Sequence, residues 1–295
     1  LIKFILNENM VELNKNYFDN CKNILQQVDD GIIDLVLQDP PFEVTSNEWD
    51  KGFIKTLPEM WELWKQKSKH NACYAFKATY PFAIDLINSN RKMFKYEWIW
   101  EKNKFTNFVN AKKMPMRCIE YIFIFYKEQP VYNPILRKNS YPEPRSRINN
   151  NAKTTNIYNI KKSDYHIHLK EYGQPTNLIK VDAEKEAFVS SNGSQERHSN
   201  RTNPELWEYF IKTYTNENDL VFDGYSGSGS IPQACIRTNR KFIACENDFN
   251  EFSKAEKTIQ DEKDIYLHGY KKTNIETDSS SLFNSLGGRQ DRISA

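Results

Sequence analysis

Four residues at positions 39–42, Asp-Pro-Pro-Phe, could together act on an amino group. Asp39 follows the apolar run "LVLQ" and is expected at the carboxyl end of a parallel strand, where open α/β sheets bind ligands. Pro40 and Pro41 restrict the backbone and would hold the loop carbonyls in a set direction. A carboxylate beside a carbonyl offers two acceptors for the two N–H bonds of an exocyclic amino group, which would free the nitrogen lone pair for attack. Phe42 adds a flat face on which a nucleobase could stack.

A glycine-rich turn, "LVFDGYSGSGSI" at 220–231, is the second chemical feature. Gly224, Gly227 and Gly229 separate an apolar strand from a helix, so backbone amides and a helix N-terminus can approach a ligand closely. Ser230 and Ile231 stand where a phosphate-binding P-loop needs Lys and Ser/Thr, which disfavours an NTPase. The dinucleotide fingerprint is also incomplete, because its third glycine is missing.

Glu246 is the third feature, 22 residues after Gly224 at the end of the next predicted strand. An acid in this position can accept hydrogen bonds from ribose hydroxyls. Purely structural alternatives exist for all three features: a strand-ending turn, a strand-to-helix turn and a helix-capping acid. Their coexistence favours a nucleoside cofactor bound without a pyrophosphate grip, next to a site for an amino group.

The elements that must position these residues form two α/β halves separated by an irregular region from about Arg137 to Arg201. Hydrophobic periodicity, capping residues and turn signals predict strands and helices on both sides of that region. The predicted strands are Val11–Phe18, Ile32–Gln38, Ala72–Ala78, Tyr96–Trp100, Cys118–Tyr126, Leu220–Phe222 and Lys241–Cys245, and the predicted helices are 19–28, Phe53–Lys69, Pro81–Asn90, Asn203–Thr215, Ser230–Thr238 and Asp248–Lys263.

Composition excludes several classes of protein. No apolar run approaches the roughly 20 residues of a membrane span, and the N-terminal stretch does not resemble a secretory signal. The five cysteines form no C-x-x-C pair, which favours a reducing, cytoplasmic location. His166 and His168 have no cysteine partner nearby, and we predict no metal site.

Charge is distributed unevenly, although the formal net charge is only +2. Residues 91–180 contain 18 Lys and Arg against 7 Asp and Glu, whereas the rest of the chain contains 23 against 32. Such a basic region is a candidate surface for a polyanion, with an ordinary solvated Lys/Asn-rich surface as the alternative.

Together these motifs resemble those of amino-group DNA methyltransferases that use S-adenosylmethionine, in the permuted order called the β class. The family's catalytic D-P-P-[YFW] matches "DPPF", its later cofactor motif D-P-F-x-G-S-G-T-T is similar to "DGYSGSGSI", and "HSNRTNPELWEYF" stands where the family has H-P-T-Q-K-P and a helix. The resemblance implies a Rossmann-like α/β fold of the class I methyltransferase type. Its sheet would be mixed and mostly parallel, with an inserted target-recognition region.

The resemblance also implies roles for individual residues. Asp39, Pro40, Pro41 and Phe42 would hold a flipped base, and an Asp before the two prolines resembles the adenine N6 pattern more than the cytosine N4 pattern. Double-stranded DNA would be the substrate, with a homodimer and a cognate restriction endonuclease as possible partners. Residues expected to line the cofactor are Asp19, Asp223, Tyr225, Gly227, Ser228, Gly229 and Glu246, and those expected to contact DNA are Lys112, Lys113, Arg137, Lys138, Arg145 and Arg147.

Three departures from the family pattern are expected to alter cofactor binding. Gly224 stands where the family usually has Pro and is expected to loosen the turn. Ser230-Ile231 replaces Thr-Thr, and Arg201-Thr202-Asn203-Pro204 replaces Gln-Lys-Pro.

Three alternative functions stay open. They are N4-cytosine methylation, a catalytically inactive DNA-binding relative, and an enzyme acting on RNA or protein amino groups. No Pro-Cys dipeptide occurs, so the thiolate route of cytosine C5 methylation lacks its nucleophile.

The predicted domain organisation follows from the motif order. It comprises an N-terminal extension (1–10), the catalytic half of the core (11–136), the target-recognition region (137–200), the cofactor-binding half (201–270) and a disordered tail (271–295).

Overall fold

The computed structural model describes residues 11–43, 52–138, 172–183, 188–189, 195–196 and 201–269. The predicted extension and tail, together with Arg145, Arg147, His166 and His168, lie outside the described residues. The described residues hold no group of three or more His, Cys, Asp or Glu side chains that could bind a metal ion. None of the helices in this part of the chain has the length and apolar character needed to cross a bilayer.

One eight-stranded sheet organises the described part of the chain. Its strands are β1 Lys15–Phe18, β2 Ile33–Gln38, β3 Ser68–Ala78, β4 Phe94–Thr106, β5 Arg117–Phe125, β8 Leu178–Lys180, β11 Leu220–Asp223 and β12 Lys241–Glu246. Their order across the sheet is β1-β12-β11-β2-β3-β5-β4-β8. Seven of the strands run in the same direction, and β5 is antiparallel to both of its neighbours. The predicted α/β fold with a mixed, mostly parallel sheet is confirmed.

Six helices cover the two faces of the sheet: α1 Cys21–Gln27, α2 Phe53–Lys67, α3 Phe82–Ser89, α4 Pro204–Tyr214, α5 Ser230–Arg237 and α6 Phe249–Gly269. Side chains of α1, α2 and α3 pack on one face, and those of α4, α5 and α6 pack on the other. Strand β2 is therefore buried on both sides, with Val36 in the first cluster and Leu35 and Leu37 in the second. This double burial explains the continuous apolar run before Asp39.

Three short pairings lie outside the central part of the sheet. Strand β6 (Arg137–Lys138) pairs antiparallel with β7 (Tyr172–Gly173), so that Lys138 is opposite Tyr172. Strands β9 (Phe188–Val189) and β10 (Gln195–Glu196) form a second small pair. Strand β8 extends the main sheet by pairing with β4, so part of the predicted irregular region contributes to the sheet edge.

Several predicted boundaries are wrong. Strand β1 begins at Lys15 rather than Val11, because Asn14 has φ 61° and interrupts the extended backbone. Strands β3 and β4 are longer than predicted, since pairing with neighbouring strands continues where the local apolar pattern stops. Helix α6 extends to Gly269 rather than Lys263. The predicted start of α4 is confirmed: the Asn203 side chain accepts a hydrogen bond from the Glu205 amide, and Pro204 is the first helical residue.

Candidate active site

Four adjacent parallel strands bring the predicted acids to one edge of the sheet. Strands β1, β12, β11 and β2 are neighbours, and their carboxyl ends carry Asp19, Glu246, Asp223 and Asp39 respectively. The chain continues from β2 to β3 on one side and from β11 to β12 on the other. The crevice between β2 and β11 is therefore a topological switch point, where open α/β sheets bind ligands.

The Asp39 carboxylate is held through one of its two oxygens. Oδ2 accepts a hydrogen bond from Lys77 Nζ at 3.0 Å and another from the Thr202 hydroxyl at 2.9 Å. Lys77 is at the carboxyl end of β3, and Thr202 immediately precedes the cap of α4. Elements from both halves of the chain thus orient Asp39. Its described side-chain hydrogen bonds use Oδ2 alone, which leaves Oδ1 to a ligand.

Lys77 is a buried cation between two carboxylates. Its Nζ also forms an ion pair with Glu120 Oε2 at 3.2 Å and donates a hydrogen bond to the Thr202 hydroxyl at 2.8 Å. Burial alone would lower the pKa of Lys77, but Asp39 and Glu120 outweigh burial and raise it. Burial likewise opposes ionisation of Glu120, yet Lys77 and Lys102 lower the pKa of its carboxyl. Lys77 and Glu120 are therefore both charged at neutral pH.

A row of aromatic rings connects the Asp-Pro-Pro-Phe loop to the glycine turn. Phe42 stacks on Phe82, with ring centroids 5.8 Å apart and an interplanar angle of 24°. Phe82 contacts Phe53 at 5.7 Å, and Phe53 contacts Tyr225 edge to face at 5.3 Å. Lys77 Nζ is 5.6 Å from the centroid of the Phe42 ring. Phe82 thus supports one face of Phe42.

The glycine turn places Asp223 beneath a bend of backbone. Gly227 and Gly229 have φ values of +48° and +85°, which side-chain-bearing residues rarely adopt. Asp223 is fully buried, and its Oδ1 accepts a hydrogen bond from the Tyr225 amide at 3.1 Å. Oδ2 has no hydrogen-bond partner among the described residues. Burial raises the pKa of the Asp223 carboxyl well above its usual range, and the Tyr225 amide only partly opposes this rise.

Glu246 fixes the turn from the neighbouring strand. Its Oε2 accepts a hydrogen bond from the Gly227 amide at 2.9 Å, and Oε1 accepts from the Asn247 and Asp248 amides at 2.9 Å each. Burial raises the pKa of the Glu246 carboxyl, although these three amides counteract the effect. A carboxylate has about four acceptor positions, so one is left for a ligand. Asp248, rather than Glu246, caps α6 through the Asn250 and Glu251 amides.

Gly224 fills a place that has no room for a side chain. A Cβ atom at this position would overlap Cys21 Sγ and would lie 2.9 Å from Gln38 Oε1. The sequence predicts that Gly224 loosens the turn, but the structure assigns it a different role. The absence of a side chain lets β11 approach α1 closely at the base of the site.

A cavity opens above this turn at the ends of β1 and β12. Asp19, Glu246 and Tyr225 are among the residues that line it. The Asp19 carboxylate accepts hydrogen bonds from the Asn20 amide and the Asn23 side chain at 2.6 and 2.8 Å. The remaining lining residues come from α1, α2 and their surroundings: Asn20, Cys21, Lys22, Thr56, Glu59, Met60, Gly224 and Asn247.

Comparison with protein families decides what kind of site this is. The model of the N6/N4 DNA methylase family matches residues 33–257, a span that includes the Asp-Pro-Pro-Phe loop, the glycine turn and Glu246. The chain belongs to this DNA methylase family. It is a DNA methyltransferase of the amino-group class, and the predicted family resemblance is confirmed.

Individual relatives of this DNA methylase agree with that assignment. The type II methyltransferase M1.MboII of Moraxella bovis is 25% identical over 270 residues, covering 80% of this chain and 93% of the relative. The orphan methyltransferase M.BamHII of Bacillus amyloliquefaciens is 24% identical over 238 residues, covering 75% and 86%. Both relatives are matched over most of their length.

Solved structures share the fold of this DNA methylase. The cytosine-N4-specific PvuII DNA methyltransferase superposes with a TM-score of 0.58 at 16% identity, covering 88% of this chain and 93% of that one. The M1.HpyAVI complex with S-adenosylmethionine gives a TM-score of 0.50 at 19% identity, covering 82% and 97%.

S-adenosylmethionine is the cofactor of this DNA methylase, and the residues present suit it. The buried Asp223 carboxylate has an oxygen without a partner among the described residues and a raised pKa, both of which a positively charged ligand would relieve. Glu246 retains acceptor capacity at the cavity wall. The other predicted cofactor residues, Ser228 and Gly229, lie in the turn that leads into α5.

The described residues predicted to contact DNA belong to two different elements. Lys112 and Lys113 are exposed in the connection between β4 and β5. Arg137 and Lys138 form β6, where Arg137 Nε donates a hydrogen bond to the Gln174 carbonyl at 3.0 Å.

Sequence reasoning missed three residues of this DNA methylase site. Lys77, Glu120 and Thr202 form the polar network around Asp39. A signal existed for two of them, since Lys77 and Glu120 each interrupt an apolar strand; the structure buries Lys77 and half-buries Glu120. Thr202 belongs to the "RTNP" departure from the family pattern, and that departure supplies a donor to Asp39.

Proposed function

We propose that this DNA methyltransferase modifies the exocyclic N6 of adenine within a specific sequence, after the base has left the duplex. The observation that carries the proposal is the arrangement of Asp39, which is held by Lys77 and Thr202 through Oδ2 at the end of β2. This carboxylate stands beside the cofactor strand β11 at the switch point of the sheet.

Asp39 and the Pro40 carbonyl would accept the two N–H bonds of the amino group. Because Lys77 and Thr202 fix Oδ2, the second oxygen of Asp39 is preorganised as an acceptor rather than reorienting during the reaction. Accepting both hydrogen bonds draws the nitrogen toward tetrahedral geometry and makes its lone pair available. The Phe42 ring, supported by Phe82, would stack on the flipped base, a contact worth about 1–3 kcal/mol.

The cofactor residues would act by binding and orientation. S-adenosylmethionine supplies an electrophilic methyl group, and the transfer releases S-adenosylhomocysteine and one proton from the amino nitrogen. Asp223 Oδ2 would accept the cofactor ammonium group, Glu246 would accept a ribose hydroxyl, and Asp19 would approach the adenine end. Gly227, Ser228 and Gly229 would let the turn lie close to the methionine part.

Substitution of Asp39 tests the proposed chemistry. Asp39→Ala and Asp39→Asn should each reduce methyl transfer by about 10²-fold or more, as expected for loss of a preorganised electrostatic contact. Binding of S-adenosylmethionine, measured by calorimetry, should be unchanged in both variants. Asp29→Ala, an exposed acid at the opposite edge of the sheet, is the matched control. Normal DNA methylation by the Asp39 variants would refute the assigned role.

N4-cytosine methylation is the second candidate, favoured by the fold shared with a cytosine-N4-specific enzyme. The Asp at position 39 favours adenine, because family members with Asp before the two prolines tend to modify adenine. Methylome sequencing of cells that express the protein, with mass analysis of the nucleosides, reports the modified base and its sequence together. N4-methylcytosine as the product would overturn the adenine assignment, and absence of any DNA methylation would support an RNA or protein substrate or an inactive relative.

Base recognition is assigned to residues 137–200, and the basic segment 91–180 to phosphate contacts. Each Lys or Arg that neutralises a phosphate makes binding fall more steeply with salt. DNA affinity that is independent of salt would exclude this role of the basic segment. We also predict a homodimer, a cognate restriction endonuclease and a cytoplasmic location.

A further inference from the structure

The hairpin between β4 and β5 projects from the active-site edge of the sheet. Because β5 runs opposite to β3 and Tyr121 is paired with Ala78 at the end of β3, the start of β5 lies beyond that edge. Glu120, near this start, contacts Lys77, which holds Asp39. Arg117 is three positions before Glu120 in β5, roughly 10 Å away at about 3.3 Å per residue. We call residues 105–116 the hairpin tip.

The hairpin tip exposes an unusual amount of apolar surface. Phe108 is 74% exposed and Val109 is 80% exposed, although both are residue types that normally lie in protein cores. Phe105, Met114 and Met116 are also exposed, to about half of their surface. Neighbouring exposed apolar side chains of this kind mark a surface that another molecule covers.

The backbone of the tip is ordered by its own hydrogen bonds. Asn107 adopts φ 68°, and its side chain accepts a hydrogen bond from the Asn110 side chain at 2.8 Å. The Ala111 amide donates to the Phe108 carbonyl at 3.1 Å, and the Lys113 amide donates to the Asn110 carbonyl at 2.8 Å. The apolar side chains are therefore presented on a preorganised turn, which lowers the entropy lost when a partner binds.

Charge identifies the kind of partner. The sequence from Lys102 to Ile119 contains five basic residues and no acidic residue. Lys112, Lys113 and Arg117 are exposed and close in sequence to the apolar residues. Apolar residues flanked by cations match a duplex, in which stacked bases lie between two rows of phosphates. A second copy of this chain fits less well, because a symmetric contact would bring the two basic tips together.

We propose that the hairpin tip enters the DNA beside the target base, with Phe108 and Val109 occupying the space that the flipped base leaves and Lys112 and Lys113 contacting the adjacent phosphates. This inference rests on the proposed function, because it requires a base to leave the duplex. The apolar side chains stack against the neighbouring bases and offset part of the unstacking energy. Their position beyond Asp39 lets one hairpin both support the catalytic network and hold the duplex open.

The test compares two duplexes that carry the site found by methylome sequencing. In one the target base is paired, and in the other it stands opposite an abasic position, so that flipping costs less. Phe108→Ala/Val109→Ala should lower kcat/KM on the paired duplex by about 10- to 100-fold, as expected for lost base stacking. The same variant should act on the abasic duplex within about threefold of wild type, because that base flips with less help.

Two further variants separate the roles. Lys112→Ala/Lys113→Ala should weaken binding to both duplexes equally and reduce the salt slope by about one to two. Ile265→Ala removes an exposed apolar side chain from the far end of α6 and should leave both activities unchanged.

Three results would overturn the inference: equal losses of the Phe108/Val109 variant on both duplexes, no loss on the paired duplex, or conversion of a dimer into a monomer by that variant in light scattering. Wild-type protein that methylates neither duplex would instead refute the proposed function.

Discussion

Gln38 and Gly224 hold the carboxyl ends of β2 and β11 together. The Gly224 amide donates a hydrogen bond to Gln38 Oε1 at 3.0 Å, and Gln38 Nε2 donates to the Phe222 carbonyl at 2.9 Å. Gln38 is fully buried. Because Asp39 follows Gln38 and Asp223 precedes Gly224, this clamp sets the separation between the two halves of the site. A proline at 224 would have no N–H to donate, so glycine at this position suits Gln38.

The Gly224→Ala variant should bind S-adenosylmethionine at least about tenfold more weakly, because the new Cβ overlaps Cys21 Sγ and forces the turn to shift. Calorimetry measures the affinity. Gly224→Ala combined with Cys21→Ala should recover much of the binding, since the sulfur that causes the overlap is removed. Cys21→Ala alone is the control. A double variant as weak as Gly224→Ala would mean that crowding by Cys21 is not the reason for the glycine.

Loss of the buried cation should destabilise the protein strongly. Lys77→Met leaves the Asp39 and Glu120 carboxylates without their shared partner, a change that costs roughly 3–5 kcal/mol in the free energy of unfolding. Urea denaturation measures this loss. Adding Glu120→Gln to Lys77→Met should restore part of the stability, because one of the two carboxylates that lost Lys77 is then neutral.

Lys67→Met is a matched control for Lys77→Met. The Lys67 and Lys77 side chains are both 9% exposed, but the partner of Lys67, Asp30, is 61% exposed and can be solvated by water. Its substitution should therefore be clearly less destabilising. Equal losses in the two variants would show that burial of the lysine stem, rather than the charge network, stabilises this region.

The affinity for S-adenosylmethionine should rise with pH through the raised pKa of Asp223. In the folded protein without cofactor, burial favours the protonated carboxyl. The stability that the protonated Asp223 carboxyl contributes is fully present below the ordinary carboxyl pKa. It is lost as pH rises through the raised pKa that this carboxyl has in the folded protein. The ammonium group of bound S-adenosylmethionine favours the ionised Asp223 carboxylate, so the affinity for the cofactor increases as pH rises. Calorimetry across this range should show a pH dependence for the wild type and a flatter profile for Asp223→Asn; identical profiles would exclude Asp223 as the partner.

Glu246→Gln should weaken cofactor binding without abolishing the chemistry. A glutamine side chain has one acceptor oxygen and places an N–H₂ group where Glu246 accepts hydrogen bonds from the Gly227, Asn247 and Asp248 amides. We expect a rise of about tenfold in the KM for S-adenosylmethionine, comparable to one charge-assisted hydrogen bond, with kcat nearly unchanged. Glu251→Gln, a half-buried acid on the first turn of α6, is the control. A fall in kcat with an unchanged KM would contradict a binding role.

The sequence was sufficient for the order of the elements and for the acids at the strand ends. Asp39, Asp223 and Glu246 were predictable because each follows a buried apolar run, and such runs end at the same edge of a parallel sheet. The limits of β1 and β4 were not predictable from local patterns. Asn14 ends the extended conformation through its own backbone angle, and β4 continues because β5 is available for pairing.

The polar network of the site depends on contacts that sequence periodicity does not encode. Thr202 is 163 residues from Asp39, and Gln38 is 186 residues from Gly224. Such pairs appear only when the strand order is known. Gly224 illustrates the difference: composition alone indicates a flexible turn, whereas the neighbours Cys21 and Gln38 make the same glycine a tightly enclosed position.

The pairing of β6 with β7 has a consequence for how a new DNA specificity could arise. Because Lys138 and Tyr172 are opposite each other, residues 139–171 leave and rejoin the described structure at adjoining backbone positions. An insertion, deletion or exchange between these points leaves the spacing of β4, β5 and β8 unaltered. We expect this segment to be exchanged as a unit during evolution, without changes in the residues that bind the cofactor and transfer the methyl group.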